Sequence, residues 1–370
     1  MTRKTNKIPT QPGILDIAPY VGGKSKLAGR DHVIKLSSNE NPFGPSPRAQ
    51  AAYSALAMEL HRYPSADHTD LREVLGTHYG LAADQIICGA GSDEIFTFLC
   101  QAYTGVGDEV IVTEHGFSMH KICALAAGAT PITVAEDNRT VSIDNILGGV
   151  SDKTKLVFLA NPGNPTGTFV ERDALERLAT SLPAHVLLVI DGAYAEFADY
   201  LLHDGYDGGA GLVELYPNVV MTRTFSKVYA LGAARVGWGY ADPQVIDVLN
   251  RVRGPFNVNA GALAAAHAAV LDQAFTSDCL RENLQLGQVM TQRLRGIGLA
   301  VDQSYANFLL VRFDSASRAD AAYAALLDAG IITRQVKGYG FPEALRITIG
   351  TQTECEAVLS ALEHFAAGAL

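Results

Sequence analysis

Between residues 71 and 240, short apolar runs alternate with helical stretches, and this rhythm limits the possible folds more than any other feature of the chain. The strand candidates are 85–88, 109–113, 130–134, 156–160, 186–190, 219–222 and 236–240. Many are β-branched and apolar at consecutive positions, so both faces of each strand need cover. Helical patterns lie between them, for example at 93–103 and at 118–127, where Gly128 supplies a stop. Strand–helix alternation with doubly covered strands implies an α/β class, a mostly parallel sheet with helices on both sides.

Beyond residue 257 the rhythm changes. An alanine-rich tract at 260–274 leads into a long polar helix at 278–295. A strand at 307–313, a helix at 318–329 and strands near 331–334 and 345–349 follow. These read as a smaller α+β domain. The first forty-odd residues are rich in Pro, Gly and Asn, have no core of their own, and are expected to pack on that second domain. The division expected is a large α/β domain at 48–256, with 1–47 and 257–370 forming the smaller unit. The 370 residues suit two domains, and 48% hydrophobic against 18% charged residues leaves enough apolar material for two cores.

A net charge of −10 argues against nucleic-acid binding, which needs a basic face to displace counterions. No stretch approaches the ~20 apolar residues that span a bilayer, so no membrane is expected. Cys88, Cys100, Cys123, Cys279 and Cys355 are far apart, odd in number and without a CxxC pair, which points to a reducing compartment. The polar start of the chain does not read as a secretory signal, so the cytoplasm is expected. His61, His68, His78, His115 and His120 are scattered with no HExxH, and no metal site is expected. No Gly-x-Ser-x-Gly elbow supports a serine hydrolase.

Four motifs carry chemistry. In Thr222-Arg-Thr-Phe-Ser-Lys227, a lysine follows an apolar strand among hydroxyls, with Arg235 soon after. Thr224, Ser226 and Arg235 can bind a phosphate, and Lys227 can condense with the carbonyl of a cofactor anchored by it. Asp191, at the end of a strand in Ile190-Asp-Gly-Ala-Tyr194, stands where open α/β sheets bind ligands. It can keep a pyridine nitrogen protonated, with Tyr194 near the ring's phenolic oxygen. Asn164-Pro-Thr-Gly167 can supply a further donor there, and Cys88-Gly-Ala-Gly-Ser-Asp-Glu94 turns from strand to helix with backbone N–H groups suited to a phosphate. Taken singly, the last three also read as cap or turn chemistry. The glycine turn lacks the third glycine of a dinucleotide fingerprint, its place taken by Glu94.

In this order along one chain, the four motifs resemble the fold-type I, aspartate-aminotransferase-like family of pyridoxal-phosphate enzymes. The resemblance runs nearly end to end. It takes in Ile17-Ala-Pro-Tyr20, the run from Leu36 to Pro47, Arg62-Tyr-Pro64 and Leu345-Arg-Ile-Thr-Ile-Gly350. It implies pyridoxal 5'-phosphate as cofactor, held by Lys227 as a Schiff base, with Lys227 later serving as the base at Cα. It implies that Asp191 pairs with the pyridine nitrogen, that Asn164 and Tyr194 bind the phenolic oxygen, and that Phe117 stacks on the ring. Ala90, Gly91, Ser92, Thr224, Ser226 and Arg235 would cradle the phosphate. Tyr63 would reach it from the other subunit of a homodimer. Arg346 would bind the anionic end of the substrate, and Arg334 and Tyr20 a substrate phosphate. The chain departs from the family at Val21-Gly-Gly-Lys24, where Pro-Gly-Lys is common.

The activity implied is amino transfer between a small-molecule donor and a 2-oxo acid, with L-histidinol phosphate and 2-oxoglutarate as the pair, in histidine biosynthesis. An aromatic amino acid as donor, or decarboxylation of a phosphoamino acid on the same scaffold, are the alternatives.

Overall fold

The structure is a computed structural model that describes residues 8–19, 22–30, 32–203 and 205–368. Seven strands form the large sheet: β1 (Ile86–Gly89), β2 (Glu109–Thr113), β3 (Thr130–Val134), β4 (Thr154–Ala160), β5 (Leu187–Asp191), β6 (Val219–Thr224) and β7 (Gly237–Ala241). Their order is β1-β7-β6-β5-β4-β2-β3. The pairs β6–β5, β5–β4, β4–β2 and β2–β3 are parallel, while β7 runs antiparallel to both β1 and β6. The chain thus has the α/β architecture expected.

Each strand sends alternate side chains to opposite faces. Val110, Val112, Leu156, Phe158 and Val189 meet Ile95, Phe96 and Leu99 of α3 (Ser92–Tyr103), with Cys123 of α4 (Ser118–Ala126) beside them. Ile111, Val157, Leu159, Leu188, Ile190 and Met221 face the other way, toward Leu71 and Leu75 of α2 (Thr69–Tyr79). With both faces buried, these strands cannot be patterned polar on one side, and that is why they read as unbroken apolar runs.

The alanine-rich tract is a helix only over Ala260–Val270. Sequence grouped it with the smaller unit, but Ala262, Ala265, Ala266 and Ala269 pack in the large-sheet core, with the helix against α1 (Pro47–Ala55) and α2. Alanine on every side gives the helix no amphipathic direction to read, and small side chains let three helices approach closely.

The second sheet is antiparallel, in the order β8 (Ala300–Val301), β9 (Phe308–Arg312), β11 (Phe341–Thr348), β10 (Arg334–Val336). Leu309, Val311, Leu345 and Ile347 pack there against helices at Gln273–Gly296, Ala316–Asp328 and Gln352–Ala366. The N-terminal segment joins this unit. Ile34–Lys35 pairs in parallel with Ile331–Ile332, Leu36 is buried in the same core, and Thr348 N–H donates to the Leu36 carbonyl at 3.0 Å. Residues after Leu36 are thereby led toward the carboxyl ends of the large sheet.

Gly237 sets how closely α3 can start against that sheet. A Cβ there would lie 2.7 Å from the Gly91 carbonyl carbon and 3.0 Å from Arg223 O, both backbone atoms that cannot swing aside. Gly237→Ala is therefore expected to lower stability by ~1–3 kcal/mol, the usual cost of overpacking. Denaturant titration of the two proteins measures this, and an unchanged midpoint would show that the α3 start moves freely.

Candidate active site

Five of the strands running the same way in the large sheet end on a functional motif. Gly91 and Ser92 follow β1, Phe117 follows β2, Asn164 follows β4, Asp191 ends β5, and Lys227 lies three residues past β6. Carboxyl ends of parallel strands form such a crevice because their loops are free to vary while the sheet fixes where they begin. Here the crevice is a cavity of ≈ 440 Å³ lined by Ser92, Phe117, Asn164, Asp191, Tyr194, Thr224, Ser226, Lys227 and Arg235, among others.

Lys227 sits at its centre. Its Nζ lies 3.5 Å from the Ser38 carbonyl, as donor, and 5.7 Å from the centre of the Tyr194 ring. Burial, followed by the nearby Arg346 cation, pulls its pKa from 10.5 down to about 8, against the opposing pull of Glu40 and Asp191. A lysine so placed supplies neutral amine near neutrality, which an exposed lysine does not.

Asp191 is buried at one wall. Its Oδ1 accepts from the Ala193 N–H at 3.2 Å, and its Oδ2 faces His120 Nε2 at 3.3 Å. His120 is itself buried, stacked on Phe158 at 4.8 Å and met edge-on by Phe96 and Phe117. Sequence counted His120 among scattered histidines without a role. The signal available was its place one turn after Phe117 on α4.

Tyr194 accepts a hydrogen bond from Asn39 Nδ2 at 2.8 Å, and burial pushes its phenol up to about 12. The hydroxyl therefore keeps its proton and has it left to donate. Asn164 presents Oδ1 to Arg346 Nη1 at 2.6 Å, which leaves its amide N–H groups for the cavity. Asn39 carried no role in the sequence reading, although its segment is part of the motif from Leu36 to Pro47.

The opposite wall presents groups that can bind an anion. No side chain caps the start of α3, and Gly91 turns into it at φ +95°, a left-handed conformation where a Cβ would strike Asp93 and Arg235. Thr224 Oγ1 accepts from the Ser226 N–H at 3.1 Å. Arg235, itself at φ +57°, donates to Ser226 Oγ at 3.4 Å and pairs with Asp93 at 3.0 Å. Ala90, expected among these groups, does not line the cavity. Its N–H donates instead to Glu94 Oε2 at 2.6 Å, a carboxylate that also accepts from Asn257 Nδ2 at 2.6 Å. Glu94 thus ties off the turn where a dinucleotide fingerprint would have glycine.

Three expected residues stand further off. Arg346 is buried and donates to the Ser37 carbonyl at 3.0 Å as well as to Asn164. Arg334 lies directly opposite it in the β10–β11 register, so both side chains issue from one face of the small sheet. Arg334 lines an adjoining cavity of ≈ 510 Å³, which shares Phe117 with the first and is also lined by residues 16–19. Tyr20 is outside the described residues. Tyr63 is 83% exposed, stacked on Phe256 at 4.7 Å and away from this cavity's lining. Among the described residues no group of three His, Cys, Asp or Glu side chains could hold a metal ion, and no helix is long and apolar enough to cross a membrane.

Reductive alkylation of Lys227 by a small aldehyde should rise with a midpoint near pH 8. In Arg346→Met the midpoint should move upward, because a cation that favours the neutral amine is gone. Peptide mass spectrometry across a pH series reads both, and a wild-type midpoint near 10.5 would remove the buried amine from the argument.

Comparison with known proteins gives one consistent result. Residues 31–362 match the family described as aminotransferase class I and II. The chain is 57% identical over 363 residues to a histidinol-phosphate aminotransferase of Dinoroseobacter shibae, an alignment that covers 98% of this chain and 99% of that one. It is 55% identical to the protein of that name from Roseobacter denitrificans, over 97% and 99% of the two chains. The crystal structure of histidinol-phosphate aminotransferase from Sinorhizobium meliloti in complex with pyridoxal-5'-phosphate matches with a TM-score of 0.85 at 27% identity, covering 92% of this chain and 93% of the other.

Proposed function

This chain belongs to the class I and II aminotransferase family, and from that membership we propose that it uses pyridoxal 5'-phosphate to move the amino group of L-histidinol phosphate to 2-oxoglutarate, in histidine biosynthesis. The observation that carries the reading is Lys227, its amine partly neutral near neutrality, between the Asp191–His120 pair and an uncapped helix start rimmed by hydroxyls and Arg235.

The cavity fits the cofactor in charge and in donor type. The N–H at Ser92, with Thr224, Ser226 and Arg235, would hold the phosphate, while the Gly91 N–H is taken by the Gly89 carbonyl at 2.8 Å. Phe117 would cover the ring. Asp191 would keep a proton on the ring nitrogen, with the buried His120 holding that carboxylate in place. Tyr194, already an acceptor from Asn39, would donate to the phenolic oxygen, as would the amide of Asn164. When bound, the protonated ring draws electron density away from the substrate's Cα. Lys227 would hold the cofactor through its amine, and the same amine, once free, would take the proton from the substrate's Cα.

Relatives more than half identical over the full chain support L-histidinol phosphate as donor. So does charge. That donor carries a phosphate dianion where an amino acid carries a carboxylate, and the facing pair Arg334 and Arg346 supplies two cations from one sheet face. Tyr20 would add a further donor. Arg334→Gln is expected to reduce kcat/KM for L-histidinol phosphate about 10- to 150-fold, the worth of one charge-assisted contact of roughly 1.5–3 kcal/mol, and to affect phenylalanine far less. Measuring both donors on both proteins decides the matter. Equal losses would deny Arg334 the phosphate, and a wild type active on phenylalanine alone would give the site to an aromatic donor.

The working unit is a homodimer. Tyr53, Met58, Leu60 and Tyr63 are large side chains exposed within eleven consecutive residues of one chain, which supports a partner covering that segment. In the dimer Tyr63 reaches the partner's phosphate cradle. An inactive Tyr63→Ala protein mixed with inactive Lys227→Ala protein is expected to regain about a quarter of wild-type activity, the share of intact sites after random exchange of two subunits. No recovery after verified subunit exchange would place each site within one chain. The five cysteines, all free and buried, fit a cytoplasmic protein.

A further inference from the structure

A ring of buried polar contacts lies behind Lys227, and none of the chemistry above uses it. Arg223 is on β6, one residue before Thr224. It is 4% exposed and pairs with Glu196, 9% exposed, at 3.2 Å. Glu196 is two residues past Tyr194. The Tyr79 hydroxyl, from α2, donates to Glu196 Oε1 at 3.5 Å and shares a 2.8 Å hydrogen bond with the hydroxyl of Tyr229, two residues past Lys227. Arg223 also lies over the Tyr79 ring at 4.7 Å and donates to the Asp207 carbonyl at 2.6 Å.

The ring thus grips the segment 223–229 at both ends, with Lys227 between the two anchors, and fastens it to the helix Ala195–Leu202, whose N-cap is Tyr194. We propose that Arg223, Glu196, Tyr79 and Tyr229 are positioning residues that hold the Lys227 amine at its depth and its distance from Tyr194. The proposal rests on Lys227 being the reacting amine of the function given above.

Two features support positioning over bulk stability. A buried ion pair seldom out-stabilises apolar side chains of similar volume, because both ions must leave water. This one is also incompletely satisfied, since Arg223 Nε and Glu196 Oε2 are buried without partners. Apolar packing would cost less here. What apolar packing does not do is fix two chain segments in one register.

Two variants test this. Tyr229→Phe removes one hydroxyl from one anchor. Arg223→Met with Glu196→Leu replaces the pair by apolar groups and should match or exceed wild-type melting temperature. Both are expected to lose ~10-fold in kcat with KM within about twofold, since misplacing a reacting group by a fraction of an ångström acts on the chemical step. In cofactor-free protein, the pH midpoint for alkylation of Lys227 should rise from about 8 toward 10.5, because an untethered amine reaches water. That readout needs no turnover. A wild type without transaminase activity would therefore overturn the proposed function and still leave the tether measurable. Wild-type kcat together with an unchanged Lys227 midpoint in Tyr229→Phe would overturn the positioning role, and the same pair of results in the double variant would make the ion pair structural only.

Discussion

A protonated amine and a guanidinium inside one protein repel each other, and the two sheets of this fold hold such a pair in place. Lys227 and Arg346 come from different sheets, and the loss of water and the mutual repulsion both push protons off the lysine. Neither group can relax away. Lys227 is on a loop pinned to β6, and Arg346 is in the middle of β11, tied to Asn164 and to the Ser37 carbonyl. The large sheet fixes one partner and the small sheet the other. What each must resist is the same electrostatic force.

This explains why so much of the polar interior converges on one place. Asp191, the Ser38 carbonyl and Tyr194 surround the lysine, and each is itself held from behind, by His120, by the backbone or by Asn39, while the exposed Glu40 is paired with Lys35 at 2.6 Å. Charges in a poorly hydrated pocket interact strongly, so a side chain free to turn would cancel the field that makes the amine reactive.

The fold was largely legible in the sequence because parallel strands buried on both faces have no polar positions to blur them. The run at 109–113 matches β2 to the residue, and 186–190 matches β5 to within one position at each end. The alanine tract was not legible in the same way. It carries apolar character but no direction, so its neighbours could not be inferred. In the site, Lys227, Asp191, Asn164 and the glycine turn stood out because each combines a reactive or turn-forming residue with the end of a strand. His120 and Asn39 did not. Both act by supporting another side chain, and such support depends on contacts between segments about 70 to 155 residues apart along the chain. Local spacing carries no trace of those.

The pairing of Ile34–Lys35 with Ile331–Ile332 has a consequence for how the protein is made. The two strands are about 300 residues apart, so at ordinary rates of synthesis the first waits roughly 15–60 s for the second to emerge from the ribosome. Until then Leu36 has no core to enter, and Ser38 and Asn39 have nothing to lead them to Lys227 and Tyr194. The nascent chain can form the large sheet and the start of α3 well before that. The start of α3 and the hydroxyls at the end of the large sheet can therefore be in place before the lysine's own surroundings, and the last part of the crevice to form is built from some of the first residues translated.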